Sequence, residues 1–302
     1  MEHQDAHDLG LAHDLKAMTQ LASRRRALGW FAGASGAAML AACDGGSGST
    51  ATSTSSSGTA TATPTPTASA TATPTPTATS TSSTCVVDPT ETNGPYPADG
   101  TNTSSGTTSN VLTASNVVRS DIRSSFVGSS TTTAAGVQVT LTLTLVNVNA
   151  ACAPLAGYAI YIWHCDRDGK YSLYDLPAES YLRGVGVTDS NGQVTFTTIF
   201  PGCYAGRWPH IHFEVFSSLA NATGGRYATL ISQLAMPSAA CSTVYNNATG
   251  YTTSIRNFAS VSINSDNVFG DNTSAQIAQQ TPTMSGSVAA GYTAAAVIGI
   301  AR

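Results

Sequence analysis

The chain has 302 residues, only 10% of which are charged, and its formal net charge at neutral pH is -4. This balance offers no basic surface for a phosphate backbone, so nucleic acid is not expected as a partner. The six cysteines form no CxxC pair, which argues against a zinc ribbon or a thioredoxin-like redox motif.

Residues 1–43 are predicted to be a targeting peptide. A polar stretch is followed by Arg24-Arg25 and then by a weakly apolar run that ends in Leu-Ala-Ala-Cys43. The run is too short and too rich in Gly and Ala to span a membrane convincingly. The arginine pair is similar to a twin-arginine export signal, and the final four residues resemble a lipobox. We therefore expect lipid attachment at Cys43 and a membrane-anchored protein, periplasmic or on the cell surface, with an uncleaved anchor as the alternative.

Residues 44–84 are predicted to be a disordered linker. From Gly45 to Thr84 there is no charge and no aromatic side chain, and a Thr/Pro/Ala block is repeated. Such a segment has nothing to bury and cannot offset the entropy lost on ordering. We interpret it as a spacer between lipid and domain.

Residues 85–302 are predicted to form one mainly β domain, an antiparallel β-sandwich with long loops. In residues 137–145, Val and Leu alternate with Gln and Thr, which is typical of a strand with one buried face. Residues 158–163 form a short β-branched and aromatic run. Residues 194–199 follow Asn191-Gly192, a dipeptide that favours a hairpin turn.

The end of the domain is less patterned. No helical periodicity of any length stands out before about residue 270, and residues 288–300 are expected to supply one or two final strands.

The tripeptide His210-Ile211-His212 is the strongest chemical signal. Side chains two apart on a strand point to the same face, so both imidazoles can reach one metal ion. The pattern continues with Phe213 and Val215, which predicts a strand with an apolar back and a ligating front. Taken alone, a His-x-His pair is more often two unrelated histidines.

The residues around the histidine pair favour a metal site over two unrelated histidines. Residues 198–204 read Thr-Ile-Phe-Pro-Gly-Cys-Tyr, then Arg207 precedes the histidine pair. Separate blocks at 94–96 (Gly-Pro-Tyr), 162–172 (Ile-Trp-His-Cys-Asp-Arg-Asp-Gly-Lys-Tyr-Ser) and 183–192 occur in the same order as in a known family. Over most of residues 85–240 the chain resembles the intradiol ring-cleavage dioxygenases, which include the catechol and protocatechuate dioxygenases.

The resemblance implies a ferric ion, Fe(3+), held by Tyr171, Tyr204, His210 and His212. Phenolate is a hard anionic donor that favours ferric over ferrous iron, and imidazole also suits iron. A trivalent cation would lower the pKa of a coordinated tyrosine enough to give phenolate at neutral pH. The sequence offers no acidic partner for the two-histidine, one-carboxylate triad of ferrous oxygenases.

The same resemblance implies an activity. The substrate would be a small vicinal dihydroxy aromatic, into which both atoms of O2 are inserted to give a muconate-type product. Tyr204 would be the general base, and Arg207 would stabilise negative charge that develops on the ring, although a salt-bridging role competes for Arg207. Gln233 matches a catalytic residue of the family through a weaker motif. Tyr96 and Trp163 are candidates for the substrate pocket, and core packing is an equal alternative.

The chain also departs from familiar members of this family. Catechol dioxygenases usually carry an extra N-terminal helical segment, and no helical pattern occupies Gly45 to Thr84 here. With Cys43 lipidated, an odd number of cysteines remains in the domain, and Cys165 is expected to be free. Disulfides Cys203–Cys241 and Cys85–Cys152 are guesses, because connectivity cannot be read from sequence.

Three further functions stay open. The domain could be an enzyme of the same fold that uses another metal or acts on larger aromatics, such as lignin-derived catechols or hydroxyquinol. The domain could be a non-catalytic, lipid-tethered β-sandwich that binds an aromatic or other ligand, or a structural lipoprotein. The identity of the catechol and the oligomeric state are not indicated by the sequence.

Overall fold

The computed structural model of the protein describes residues 85–302. The predicted signal peptide, with its lipidation site Cys43, and the predicted linker lie outside the described residues. Within these residues, two sheets contain nearly all of the strands. Three short α-helices lie along the chain between residues 235 and 283. The strands are β1 Asp99–Ser104, β2 Thr107–Asn110, β3 Gln138–Asn147, β4 Ala153–Pro154, β5 Ala159–Trp163, β6 Arg183–Val187, β7 Gln193–Ile199, β8 His210–Phe216, β9 Leu230–Ala235, β10 Thr283–Ser287 and β11 Gly291–Ile300.

The larger sheet has five strands, in the order β10-β11-β3-β4, with β7 also paired to β3. The smaller sheet has four strands, in the order β6-β5-β8-β9. All pairs are antiparallel except β11 with β3, which run parallel. The predicted β-sandwich is confirmed, with this one parallel pair as an exception. Residues 288–300 were expected to supply one or two final strands: β11 lies within this range, whereas β10 ends just before it, at Ser287.

The main hydrophobic core lies between the two sheets. Leu141, Leu143 and Leu145 of β3 join Ile160 and Ile162 of β5 and the apolar residues of β8 in one buried cluster. The Val/Leu alternation of β3 therefore gives the one buried face that was predicted, because every second side chain points at the other sheet. The back of β8 is apolar, as expected.

The Asn191-Gly192 turn is present but does not close a hairpin. Gly192 has φ +71°, and its N–H donates to the carbonyl of Asp189 at 2.9 Å. The strands on either side, β6 and β7, belong to different sheets. The turn therefore carries the chain from one layer of the sandwich to the other.

Two helices lie where no helix was expected, α1 Ser238–Asn247 and α2 Thr252–Ala259, and α3 Ser274–Gln280 follows. In α1 only Cys241, Val244 and Tyr245 are buried. Three buried side chains at this spacing are too few to stand out as helical periodicity. Across residues 85–302 the helices are all shorter or more polar than a membrane crossing requires.

An N-terminal arm, residues 85–98, connects both sheets. Cys85 forms a disulfide with Cys152, so this predicted pair is present. Further along, the N–H of Asp88 donates to the carbonyl of Gly299 in β11 at 2.9 Å, and the N–H of Glu91 donates to Ile231 in β9 at 2.8 Å. The arm thus runs from the five-stranded sheet onto the outer face of the four-stranded sheet.

The predicted disulfide between Cys203 and Cys241 is wrong. Both are buried free thiols, as is Cys165. The Cys203 sulfur lies 3.6 Å from the carbonyl of Arg207, and the Cys241 sulfur lies 3.8 Å from the carbonyl of Met236. Each thiol therefore has a local backbone acceptor, and sequence spacing carries no information on that choice.

Candidate metal centre and active site

The outer face of the four-stranded sheet carries a row of large side chains across three adjacent strands. Trp163 of β5 pairs with His212 of β8, and His212 pairs with Gln233 of β9. The rings of Trp163 and His212 stack, with centroids 4.7 Å apart and planes 8° from parallel. His210 precedes His212 on the same face. The strand register alone therefore places both imidazoles side by side.

Loops bring two tyrosines onto this face. Tyr171 lies in the loop after β5, where its N–H donates to the carboxylate of Asp175 at 2.7 Å. Tyr204 lies between β7 and β8, and a Cβ at Gly169 would be only 3.1 Å from the Cβ of Tyr204. Gly169 also has φ +82°, so both its conformation and its closeness to Tyr204 favour glycine.

Four polar atoms converge at one point. The Nε2 atoms of His210 and His212 are 3.0 Å apart. The hydroxyl of Tyr171 is 3.3 Å from each of them, and the hydroxyl of Tyr204 is 3.3 Å from Nε2 of His210. All four predicted ligands are thus brought together by the fold.

Backbone contacts set the orientation of one imidazole. Nδ1 of His210 lies 2.6 Å from the carbonyl of Trp208. Because a carbonyl can only accept, Nδ1 carries the hydrogen, and in a neutral ring Nε2 then offers its lone pair to the cluster. Gly94 of the arm covers the other imidazole, since a Cβ there would lie 3.2 Å from Cε1 of His212.

The cluster is strongly desolvated. Burial, with help from the charge of Arg207, lowers the pKa of His210 to about 3, and burial together with His210 lowers the pKa of His212 well below its usual range. Burial and the neighbouring Tyr204 raise the pKa of Tyr171 well above 10. Without a cation, the histidines are therefore neutral and Tyr171 keeps its proton.

These groups have the donor chemistry of a metal centre. Across residues 85–302, no three His, Cys, Asp or Glu side chains cluster as metal ligands, so a metal at this point would depend on the two tyrosines. Neutral imidazole lone pairs and phenol oxygens that need a nearby cation to ionise fit a hard, highly charged ion.

Arg207 lies beside the cluster and is fully enclosed. Its Nη1 is 3.5 Å from the hydroxyl of Tyr204, its Nη2 donates to Oε1 of Gln233 at 2.7 Å, and its Nε donates to Asp266 at 3.0 Å. Burial acts to lower the pKa of Arg207, but the oxygens of Tyr204 and Asp266 outweigh it and the pKa is raised. Arg207 therefore stays a cation, in contact with one tyrosine and salt-bridged on its far side.

The side-chain oxygen of Gln233, also predicted as catalytic, accepts a hydrogen bond from Arg207 beside the cluster. Its amide Nε2 donates to the carbonyl of Thr92 in the arm at 2.9 Å. The side chain therefore ties the arm to the arginine.

The two predicted pocket residues have different surroundings. Tyr96 is half-buried and packs on Tyr171, with ring centroids 4.8 Å apart. Trp163 is fully buried behind His212. Tyr96 thus borders the tyrosine side of the cluster, whereas Trp163 supports an imidazole from behind.

Sequence reasoning missed Asp266 and the role of Gly94. Asp266 lies 59 residues from its partner Arg207 along the chain, in a loop with no recognisable motif. Gly94 was noted only as part of a block; its positive φ of +69° shows why glycine stands there.

The chain is similar to dioxygenases in both sequence and fold. Residues 117–236 match the family model Dioxygenase_C, described as "Dioxygenase". A search of curated proteins found no match. Among solved structures, an intradiol ring-cleavage dioxygenase from Tetranychus urticae superposes with a TM-score of 0.54 at 23% identity, covering 72% of this chain and 95% of its own. The dioxygenase domain of a carbohydrate-binding fusion from Streptomyces sp. SirexAA-E has a TM-score of 0.42 and 19% identity, over 72% of this chain and 99% of its own.

The match over residues 117–236 and the shared fold confirm the predicted resemblance to the intradiol ring-cleavage dioxygenases.

Proposed function

We propose that the protein is a non-haem ferric dioxygenase that opens vicinal dihydroxy aromatic rings between the two hydroxylated carbons. Both atoms of O2 would enter the product, a muconate-type diacid. The observation that carries the proposal is the convergence of two tyrosine hydroxyls and two histidine Nε2 atoms, each within 3.3 Å of at least one other member of the cluster.

The residues that would hold the ion are Tyr171, Tyr204, His210 and His212. Two phenolates and two neutral imidazoles supply hard anionic oxygens and borderline nitrogens, which suits Fe(3+). A bound ferric ion would supply Lewis acidity that makes the aromatic diol acidic and electron-rich as its dianion.

Tyr204 is the better placed of the two tyrosines to exchange a proton with substrate. It is partly exposed, whereas Tyr171 is only 1% exposed. As a phenolate, Tyr204 would accept the proton of a substrate hydroxyl as general base. Arg207 lies 3.5 Å from that oxygen, and its fixed charge would stabilise negative charge on the bound diol.

The first test is the visible spectrum of residues 85–302 loaded with ferric ion. Tyrosinate bound to Fe(3+) absorbs visible light, and the band should move when catechol is added without oxygen. We expect Tyr204→Phe to weaken the band and Tyr227→Phe, on an exposed tyrosine bonded to Arg226, to leave it unchanged. A protein that stays colourless after reconstitution would contradict the proposal.

Oxygen uptake then separates catalysis from binding. With a panel of catechols, the proposal requires uptake of O2 and a diacid that carries both labelled oxygen atoms from 18O2. Catechol binding without uptake would favour the alternative of a non-catalytic, tethered binding module.

We also propose that the domain is exported and attached to a membrane by lipid at Cys43. The support is the order of the arginine pair, the weakly apolar run and Leu-Ala-Ala-Cys. Cys43→Ala should abolish labelling by a fatty-acid analogue. Arg24→Lys with Arg25→Lys should retain the precursor in the cytoplasm, and continued export of that variant would refute the twin-arginine route.

A further inference from the structure

Asp266 is a buried acid that the proposed chemistry does not use. It lies in the loop between α2 and α3, beyond the segment that matches the dioxygenase family, and it is 1% exposed. A buried carboxylate is costly unless its oxygens are bonded. The contacts of those oxygens therefore indicate why it is present.

The two carboxylate oxygens of Asp266 bond to different parts of the chain. Oδ1 accepts the N–H groups of Val268 at 2.8 Å and Phe269 at 3.0 Å, which ties the carboxylate to its own loop. Oδ2 accepts Nε of Arg207 at 3.0 Å and the N–H of Trp208 at 2.6 Å. One oxygen therefore anchors the carboxylate, and the other holds the Arg207-Trp208 segment.

These contacts also determine the state of the acid. Burial acts to raise the pKa of Asp266, but the charge of Arg207 and the backbone N–H of Trp208 outweigh it and hold the pKa below its usual range. The carboxylate is thus ionised and makes charge-assisted hydrogen bonds.

Two of the three guanidinium nitrogens of Arg207 are held by neighbouring side chains, and the third, Nη1, points toward the active site. A guanidinium is planar, so two bonded nitrogens determine where the third points. Asp266 takes Nε and Gln233 takes Nη2, and Nη1 then lies 3.5 Å from the hydroxyl of Tyr204.

The same loop contact reaches a metal ligand by a second route. The carbonyl of Trp208 accepts Nδ1–H of His210 at 2.6 Å, while the N–H of Trp208 is bonded to Asp266. Asp266 therefore holds the N–H of the residue whose carbonyl orients His210.

We propose that Asp266 is a positioning residue of the active site, which orients the guanidinium of Arg207 toward the oxygen of Tyr204. The catalytic part of this inference rests on the proposed function, but the orientation of Arg207 does not. It is a property of the folded chain before any metal or substrate binds.

Another ion pair of the domain makes a matched control. Arg123 and Asp121 form a salt bridge at 2.7 Å, with 31% and 50% of their side chains exposed. Exposed ion pairs of this kind contribute little to the free energy of unfolding. Arg183 is a second reference, because it is fully buried and its Nε donates to the hydroxyl of Ser172 at 3.0 Å.

The first experiment uses the metal-free protein, residues 85–302, and the proton–nitrogen NMR signals of arginine Nε. The Nε–H of Arg207 should be protected from solvent exchange and is assigned by its loss in Arg207→Lys. In Asp266→Ala this signal should broaden or exchange rapidly, while the Arg183 signal stays and Asp121→Asn changes neither. An Arg207 signal that remains protected in Asp266→Ala would overturn the proposal.

The second experiment is a double-mutant cycle on the ferric enzyme. We expect Asp266→Ala to lower kcat by about 10- to 100-fold with KM changed by less than about 3-fold, the range seen when groups that orient active-site residues are removed. In an Arg207→Ala background, where only the contact with the N–H of Trp208 is left to lose, the same substitution should lower kcat by a clearly smaller factor than in the wild type. Equal losses in both backgrounds would show that Asp266 does not act through Arg207.

Asp266→Asn covers the case in which Asp266→Ala does not fold. It keeps the volume and one oxygen acceptor, so it should restore part of the Arg207 protection and of kcat relative to Asp266→Ala, or fold where that variant does not. A folded Asp266→Asn with wild-type protection and wild-type kcat would contradict the need for the carboxylate. If the wild type shows neither a visible band nor O2 uptake, the proposed function fails, and the NMR result still decides the orientation of Arg207.

Discussion

The two sheets of the sandwich follow the same period-two geometry but treat their outer faces differently. In β3 and β11 of the five-stranded sheet, buried residues alternate with partly or fully exposed ones. In β5 and β8 of the four-stranded sheet, every residue is buried. The arm and the long loops cover the second face of the four-stranded sheet, and the five-stranded sheet leaves its second face to solvent.

The difference in covering explains why the candidate metal centre lies on the four-stranded sheet. On the outward face of the five-stranded sheet, Thr140, Thr142 and Thr144 of β3 are partly exposed, so solvent can reach them. On the covered sheet the outward residues include His210, His212 and Glu214, and burial changes the pKa of each. A covered second face therefore concentrates desolvated polar groups, which is the condition for a metal or catalytic site. Substitutions on the covered face should therefore affect activity most, and substitutions in the core between the sheets should affect stability most.

The largest effect is expected for His212→Ala on the covered face. It removes one of four donors, so the visible ferric band and O2 uptake should both be lost while the metal-free domain stays folded by circular dichroism. His164→Asn is the control, because His164 is buried but bonds to Thr198 and the carbonyl of Cys165 instead of the cluster. We expect that variant to lose stability and keep the band. A His212→Ala protein that still binds iron and still consumes O2 with catechol would contradict the placement of the chemistry on the covered face.

Leu143→Ala on the inner face of β3 should act on stability alone. Leu143 is fully buried in the core between the sheets, and such a truncation costs about 3 kcal/mol of unfolding free energy. Denaturant unfolding measures this loss, and kcat per bound ferric ion should be unchanged at a temperature where the variant is folded. A fall in kcat beyond about 3-fold would show that the five-stranded sheet also shapes the site.

Asp88→Asn tests the point where the arm meets the five-stranded sheet. Burial raises the pKa of Asp88 to about 7, against hydrogen bonds from Gly299 and Gln279 that lower it. The folded protein therefore keeps a proton that the unfolded chain loses above about pH 4, so wild-type stability falls as the pH rises from 4 to 7.

Relative to Asp88→Asn, the wild type should thus lose about 1 to 3 kcal/mol over that window and nothing more above it. Thermal unfolding of both proteins at a series of pH values measures the difference. Asp121→Asn should show no such trend, since its exposed carboxylate has a lowered pKa. A difference that is constant from pH 4 to 8 would contradict a buried, protonated Asp88.

The smallest effect is expected on the solvent face of the five-stranded sheet. Thr142 and Thr195 face each other there, with their hydroxyls 2.9 Å apart and exposed. Thr195→Val should change the unfolding free energy by less than about 0.5 kcal/mol, and it should leave kcat unaltered. A loss comparable to that of Leu143→Ala would mean that this face is covered in solution.

Local patterns predicted the parts of the fold that depend on neighbours along the chain. The alternation in residues 137–145 and around Ile211 indicated β3 and β8, because strand geometry places every second side chain on one face. Helices α1 and α2 were not foreseen. Each is short and presents only a few buried residues, such as Val244 in α1 and Ser254 in α2, so tertiary packing stabilises them more than their own sequence does.

The sequence by itself determined the two sheets' core strands and, through motifs resembling a known family, the four side chains that meet at one point. Only the tertiary structure decided that Cys203 and Cys241 stay apart, that the arm lays Gly94 over His212, and that Asp266 holds Arg207. The physical reason is range. Periodicity and adjacent motifs are set by backbone geometry over a few residues, whereas contacts between distant loops depend on how the layers pack, which no local pattern records.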